Sequence, residues 1–336
     1  MTDFTALTDL AAERLGGAVL LANDEFFAPK EALLRAAPAE WREGEYTDRG
    51  KWMDGWETRR RRTPGHDWCI VRLGLPGVIR GLCVDTAFFT GNYPDAFSME
   101  AAALPGVPDP ETIAADDALW TEIRSRADLA GDARNLFPVE SGERWTHLRF
   151  HIYPDGGVAR LRVHGEPAPD WAALLRRGGD VDLGALENGG RVLASSNAHY
   201  GNPQNMLQPG RSTHMGDGWE TSRRRGPGHD WSIVRLARPG RLTRVELDTD
   251  HFKGNAPGSC SLEGIHAPDA AVGELSAGAV EWIPLVAETR LQPHARHAWE
   301  AEVAAHGALT HVRIRIFPDG GVARLRLFGR PEDGAA

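Results

Sequence analysis

The chain reads as an all-β protein: two tandem jelly-roll-like antiparallel β-sandwiches that arose by internal duplication. Short alternating segments are separated by Gly, Pro, Asn and Asp clusters about every eight to twelve residues, and no stretch sustains a long helical period. The chain also repeats itself. Residues 53–73 and 216–236 are identical at seventeen of twenty-one positions, 163 residues apart. Core leucines and valines exchange freely while volume and pattern hold. Glu, Arg, His, Asp and Trp kept together therefore point to chemistry or to one demanding turn. A length of 336 residues suits two domains, each able to bury its own core. The expected boundaries are 1–166 for the first repeat, 167–190 for a linker with a short helix, and 191–330 for the second repeat.

Taken in order, residues 1–16 predict an amphipathic helix with Leu7, Leu10, Ala11 and Leu15 on one face. Residues 18–21 predict a strand, and Pro29 opens a helical turn through Leu34. The second copy offers a strand at 191–194, followed by a polar loop to Pro203. Residues 66–73 alternate as a strand, with Trp68, Ile70 and Arg72 on one face and Cys69, Val71 and Leu73 on the other. Pro-Gly pairs at 76–77 and 239–240 predict turns into the next strands, 81–86 and 244–249. A short helix is expected around 116–124. Residues 145–153 and 158–163, joined by Pro154-Asp155-Gly156-Gly157, predict a hairpin that 310–327 repeats. Gly156 and Gly320 supply the positive φ of its turn, and Arg160, Arg162, Arg324 and Arg326 share one face of the return strand. A helix is expected at 171–177.

A formal net charge of −9 weighs against binding nucleic acid or an anionic membrane. Three cysteines without CxxC spacing predict reduced thiols and a cytoplasmic location. The N-terminal residues lack a signal pattern, and the longest apolar run, 18–22, is too short to span a bilayer.

Within the repeated string, Glu57 and Glu220 stand beside Arg59, Arg61, Arg223 and Arg224. They form either a solvated ladder or an anion pocket in which guanidinium forks grip a carboxylate. His66-Asp67 and His229-Asp230 begin strands, so neighbours face opposite ways and form no dyad with each other. Trp56, Trp68, Trp219 and Trp231 either fill cores or stack on a ligand ring. No zinc spacing, nucleotide-binding glycine loop or serine elbow is present.

Asp24-Glu25-Phe26-Phe27-Ala28-Pro29, Asp54-Gly55-Trp56-Glu57-Thr58-Arg59-Arg60, Pro64-Gly65-His66-Asp67-Trp68 and Pro154-Asp155-Gly156-Gly157 resemble the motifs of the allantoicase family. Each has a partner in the second half, and the resemblance covers about residues 19–329. It implies repeated jelly rolls, homo-oligomers, and conversion of allantoate and water to ureidoglycolate and urea in purine degradation. That reaction must fix a carboxylate, protonate a departing nitrogen and deprotonate water. The candidates for proton transfer are His66, Glu57, His229, Glu220, Asp24 and His251. The candidates for holding allantoate are Arg59, Arg61, Arg223, Arg224, Asp67, Asp230, Asn92 and Asn255. No organic cofactor is needed, and a divalent metal to activate water is left open.

The copies differ at Asp24/Asn197, Phe26/His199 and Phe88/His251, which predicts one working site per chain. The alternative is a tandem jelly-roll carbohydrate-binding module without catalysis.

Overall fold

A computed structural model describes residues 3–278 and 280–332. The chain divides into two compact units, Met1–Ala168 and Pro169–Ala336. The first contains β1 (Thr8–Asp9), β2 (Ala18–Ala22), β3 (Tyr46–Thr47), β4 (Gly50–Lys51), β5 (Trp56–Glu57), β6 (Asp67–Asp85), β7 (Ala96–Ala102), α1 (Pro110–Ala115), β8 (Thr121–Asp128), β9 (Arg134–Pro138), β10 (Arg144–Tyr153), β11 (Gly157–Val158) and β12 (Arg160–Pro167). The second contains α2 (Trp171–Arg176), β13 (Val181–Asp182), β14 (Arg191–Ser195), β15 (Trp219–Glu220), β16 (Asp230–Asp248), β17 (Ser259–Ile265), α3 (Val272–Ser276), β18 (Ile283–Arg290), β19 (Arg296–Trp299), β20 (Leu309–Phe317), β21 (Gly321–Val322) and β22 (Arg324–Pro331).

Strand β6 organises the first unit. Its first half pairs with β2 and β10, its second half with β12 and β9, all antiparallel. The Pro-Gly pair at 76–77 is therefore not the turn expected from the sequence; the strand runs straight through it. Pro76 has no N–H to lose where the ladder changes partners, and its carbonyl accepts from Ala168 N. A Cβ at Gly77 would lie 2.4 Å from Glu166 O, so only glycine fits beside β12. The second unit repeats this with β16 between β14, β20, β22 and β19.

Alternation on β6 sorts side chains as its sequence predicts. Cys69, Val71 and Leu73 are buried in the sandwich, where Phe97 of β7 meets Phe137 of β9 at 4.6 Å between ring centroids. Ile70 and Trp68 face outward and are covered by Ile113 and Trp120. That cover is α1 and a 3₁₀ turn at Asp117–Leu119, in place of the helix expected at 116–124. Asp109 accepts from Thr112 N and Pro110 occupies the first turn, which starts the helix early. Residues from Thr121 onward pair with β7 instead.

The expected N-terminal helix is also replaced. Residues 8–9 pair with β12, flanked by 3₁₀ turns at Phe4–Ala6 and Glu13–Leu15. Asp9 accepts from Ala11 N and Val163 N, which fixes the backbone in this non-helical path. Residues 1–2 of that expectation lie outside the described residues. Residues 181–190, read as linker, repeat the same construction inside the second unit: β13 pairs with β22, and Leu183 and Ala185 are buried. The helix expected at 171–177 is present as α2.

The predicted hairpin is corrected as well. β10 and β12 both pair with β6 rather than with each other. Residues 154–157 carry the chain across the end of the sandwich, and β11 pairs with β5. Gly156 has φ +139°, and a Cβ there would lie 2.7 Å from Pro94 N.

The arginines of the return strand are structural. Arg160, 2% exposed, pairs with Asp54 at 2.6 Å and donates to the carbonyls of Ala37, Asp54 and Ala159. Burial pushes the Asp54 carboxyl up, but hydrogen bonds from Arg160 and Glu40 N outweigh it and hold it low. Arg324 pairs with Asp217 in the second unit. Arg160→Met should lower folding stability by about 3–5 kcal/mol, because it strands a buried carboxylate. A urea-unfolding midpoint close to wild type would refute this. His147 and His311, each with Nδ1 2.9 Å from the preceding threonine hydroxyl, add a pH dependence. Burial pushes both imidazoles down, His311 to about 4 with help from Arg235. The fold keeps them neutral while the unfolded chain protonates near about 6.5. Stability is thus complete above that pH and falls below it, for His311 by up to about 1.4 kcal/mol per pH unit towards pH 4, with His147 acting in the same direction. His311→Gln should flatten the curve over this window in pH-dependent denaturation.

Candidate active site

The repeated string folds at the end of each unit where the crossing turn docks. In unit 1, Gly55 passes so close to β11 that a Cβ would lie 2.5 Å from Val158 O. Thr58 N donates to Gly156 O, and Gly156 N donates to Thr58 Oγ1, both at 3.1 Å. Trp56 is fully buried, and its Nε1 donates to Asp24 O at 2.8 Å. Glu57 is bridged on its other side by Ala28. Fixed on both sides, Glu57 points its carboxyl at the 88–92 loop, where Asn92 Nδ2 donates to Oε1 at 2.7 Å.

A cleft of about 380 Å³ opens there, lined among others by Glu57, Asn92, Lys51, Trp41, Phe27 and Phe88. Burial raises the Glu57 carboxyl above its ordinary value, and the Asn92 bond offsets this only in part. The cleft therefore offers a carboxyl that holds its proton more firmly than an ordinary glutamate, an amide and an ammonium group between aromatic walls. Glu220 and Asn255 repeat the hydrogen bond at 2.6 Å in unit 2.

The remaining predicted residues fall into separate groups. Asp24 accepts from Arg59 Nε at 2.7 Å and from the N–H groups of Arg59 and Phe26. Burial alone would raise the Asp24 carboxyl, but these donors hold it low. Asn197 and Ser222 make the neutral version of this contact in unit 2. Arg61 pairs with Asp67 at 2.5 Å, Asn23 also donates to Asp67, and Arg61 N donates to Asp155. Arg224, Asp230, Ser196 and Asp319 match them in unit 2. Arg223 is exposed. His251, at φ +69°, has Nε2 3.0 Å from Ser212 O, and its N–H donates to His294 Nδ1.

His66 does not line the Glu57 cleft. Its Nε2 lies 2.9 Å from His151 Nδ1, His151 Nε2 lies 2.7 Å from Glu100 Oε2, and Arg149 Nε donates to the same oxygen at 2.6 Å. Burial pushes both imidazoles down. The Arg61 cation adds to this at His66, whereas Glu100 opposes it at His151. His151 and Glu100 were missed in the sequence. The available signal was a mismatch: the position matching His151 in the second copy is Arg315, which pairs with Glu263 at 2.8 Å. His229 accordingly packs on Phe317 without an imidazole partner and is pushed down by burial and by Arg315. Among the described residues, no group of three or more His, Cys, Asp or Glu side chains is arranged to hold a metal ion.

The family model described as allantoicase repeat matches residues 8–168 and again 181–332. The chain is 51% identical over 322 residues to a probable allantoicase 1 of Burkholderia mallei, covering 96% of this chain and 94% of that protein. It is 48% identical over 330 residues to a probable allantoicase of Pseudomonas aeruginosa, covering 98% and 97%. A crystal structure of allantoicase from Saccharomyces cerevisiae superposes with a TM-score of 0.81 at 34% identity, covering 97% of this chain and 93% of that one.

The His66–His151–Glu100 row makes a distinct prediction. Glu100→Gln removes the anion that supports protonated His151, so the His151 pKa should fall further below the ordinary value. Imidazole resonances followed by NMR across pH 4–8 report it; an unchanged or raised value would mean that Glu100 does not act on His151.

Proposed function

The chain belongs to the allantoicase family, and from that premise we propose that it hydrolyses allantoate to ureidoglycolate and urea, a step of purine degradation. The observation that carries this is the match of both halves to the family repeat, together with about half-identical relatives along nearly the whole chain. The cleft of unit 1 supplies suitable chemistry.

Allantoate has a central carbon bearing one hydrogen, one carboxylate and two ureido nitrogens. One carbon–nitrogen bond breaks with its electron pair leaving on nitrogen, and that nitrogen takes the proton of Glu57. Urea departs and leaves an N-carbamoyl iminium cation, in which the remaining ureido nitrogen keeps its hydrogen and shares its lone pair with the central carbon. Water adds to that carbon and returns a proton to the Glu57 carboxylate, which restores the acid. A carboxyl raised by burial suits both transfers. Asn92 orients the carboxyl through Oε1. The reaction consumes only water, so no organic cofactor enters. Three buried free thiols support a reducing, cytoplasmic setting, and the family resemblance supports a homo-oligomer. No described helix is long and apolar enough to cross a membrane.

Of the four tryptophans that the sugar-binding alternative would use, Trp56 and Trp219 are fully buried, with both indole N–H groups donating to backbone carbonyls, and Trp68 packs against the Ile113 and Trp120 cover.

Purified protein should release one urea per allantoate, measured by a coupled urea assay. Glu57→Gln should cut kcat by about 10²-fold or more, the usual scale for losing a general acid–base. Urea release absent from the wild type, or undiminished in the variant, would remove respectively the reaction and the role of Glu57.

A further inference from the structure

Unit 1 carries a hairpin that has no counterpart among the described residues of unit 2. Thirty positions separate Asp24 from Asp54, but only twenty separate Asn197 from Asp217. Within the longer segment β3 and β4 pair, Tyr46 opposite Lys51 and Thr47 opposite Gly50. The hairpin is anchored beside the cleft. Arg49 Nη1 donates to Phe26 O at 3.0 Å, and Trp52 N donates to Glu45 O at 3.0 Å. Gly50 sits against Phe27, where a Cβ would lie 3.3 Å from the ring. The segment thereby brings Trp41 and Lys51 to the same cleft as Glu57.

Lys51 is the cation of that cleft. Its Nζ lies 3.9 Å from the centroid of the Trp41 ring, and none of the ion pairs among the described residues includes it. Of the four arginines that the sequence offered for gripping a carboxylate, three are committed elsewhere, Arg59 to Asp24, Arg61 to Asp67 and Arg224 to Asp230, and the exposed Arg223 does not line this cleft. Lys30 is held by Glu25 and Glu31. An ammonium resting on an indole face is placed by the ring, which cannot neutralise it, and the charge stays available to an anion. The residue that matches Lys51 in the second copy is His214.

We propose that Lys51, positioned by the 39–52 segment and Trp41, receives the carboxylate of the substrate, so that unit 1 is the working half of the chain. The inference rests on the cleft reading above and adds the residue that selects a carboxylate-bearing ureide. Lys51 contributes binding that is equal in the ground and transition states, because the carboxylate keeps its charge throughout the reaction. Its loss should therefore appear in KM rather than kcat.

Lys51→Met should raise KM for allantoate about tenfold to a hundredfold, the range for one charge-assisted hydrogen bond, with kcat within about threefold of wild type. Lys51→Arg, which keeps the charge, should restore most of the loss, and His214→Met should leave KM unchanged. The ligand supplies a second test. Ureidoacetate should bind the wild type at least about tenfold more tightly than its carboxamide, ureidoacetamide, and Lys51→Met should abolish that preference in calorimetry. A Met variant with wild-type KM and an intact preference would overturn the proposal, as would an equal effect from His214→Met. If the wild type released no urea from allantoate, the hydrolase reading would fall, while the ureidoacetate comparison would still decide the role of Lys51.

Discussion

One strand serving both sheets of each sandwich is the constraint from which the site follows. Because β6 gives its first half to β10 and its second half to β12, the chain leaving β10 cannot fold straight back beside it. It must cross the end of the sandwich. The crossing is made by Pro154-Asp155-Gly156-Gly157, whose glycines pass against Pro94 and Phe89 where any Cβ would collide. The crossing segment in turn needs partners for its backbone groups. Thr58 and β5 supply them, which fixes Glu57 at the rim with its carboxyl towards Asn92. The buried acid is thus a consequence of how the sandwich closes, and the kept glycines, threonine and aspartates are the means of closing it.

The two copies act as controls for one another. Asp24 with Arg59 and Asn197 with Ser222 hold the same turn, one with charge and one without. In both, a side-chain oxygen accepts from the N–H two residues on, at Phe26 and at His199. The turn requires that acceptor and is indifferent to ionisation. The paired Arg61–Asp67 and Arg224–Asp230 contacts, each tied to an aspartate of the crossing turn, show the opposite case. There the ion pair is kept, and it builds the loop in both units. Repetition within the chain therefore marks construction as readily as chemistry.

This explains what could be read from the sequence. Strand alternation on residues 69–73 was legible because burial of one sheet face imposes a period of two. The 1–16 segment misled because its leucines also satisfy a helical period, while the Asp9 side chain diverts the backbone. The better clue was the repeated Asp-Leu and Gly-Gly at 9–17 and 182–190, which places both segments inside their units. Pro-Gly at 76–77 is a turn signal whenever the strand ends; here the ladder changes sides without ending. Glu57 and Asn92 were legible through duplication. Trp41 lies in the segment that is longer in the first copy, Lys51 is replaced by His214 and His151 by Arg315, so comparison of the copies could not nominate them.

The same asymmetry bears on how the raised Glu57 carboxyl responds to substrate. An empty cleft leaves Glu57 partly hydrated, with burial and Asn92 pulling its carboxyl in opposite directions. A ureide carboxylate seated on Lys51 changes both influences. It displaces water from the cleft, which strengthens the desolvation penalty on the carboxylate form, and it places a second negative charge in the same enclosure. Lys51 compensates the charge of the substrate and so keeps binding favourable. Both effects raise the carboxyl further, so the proton needed by the departing nitrogen is held most firmly when substrate is present. Seating the substrate in the cleft thus favours the protonated acid, while Lys51 contributes to affinity alone.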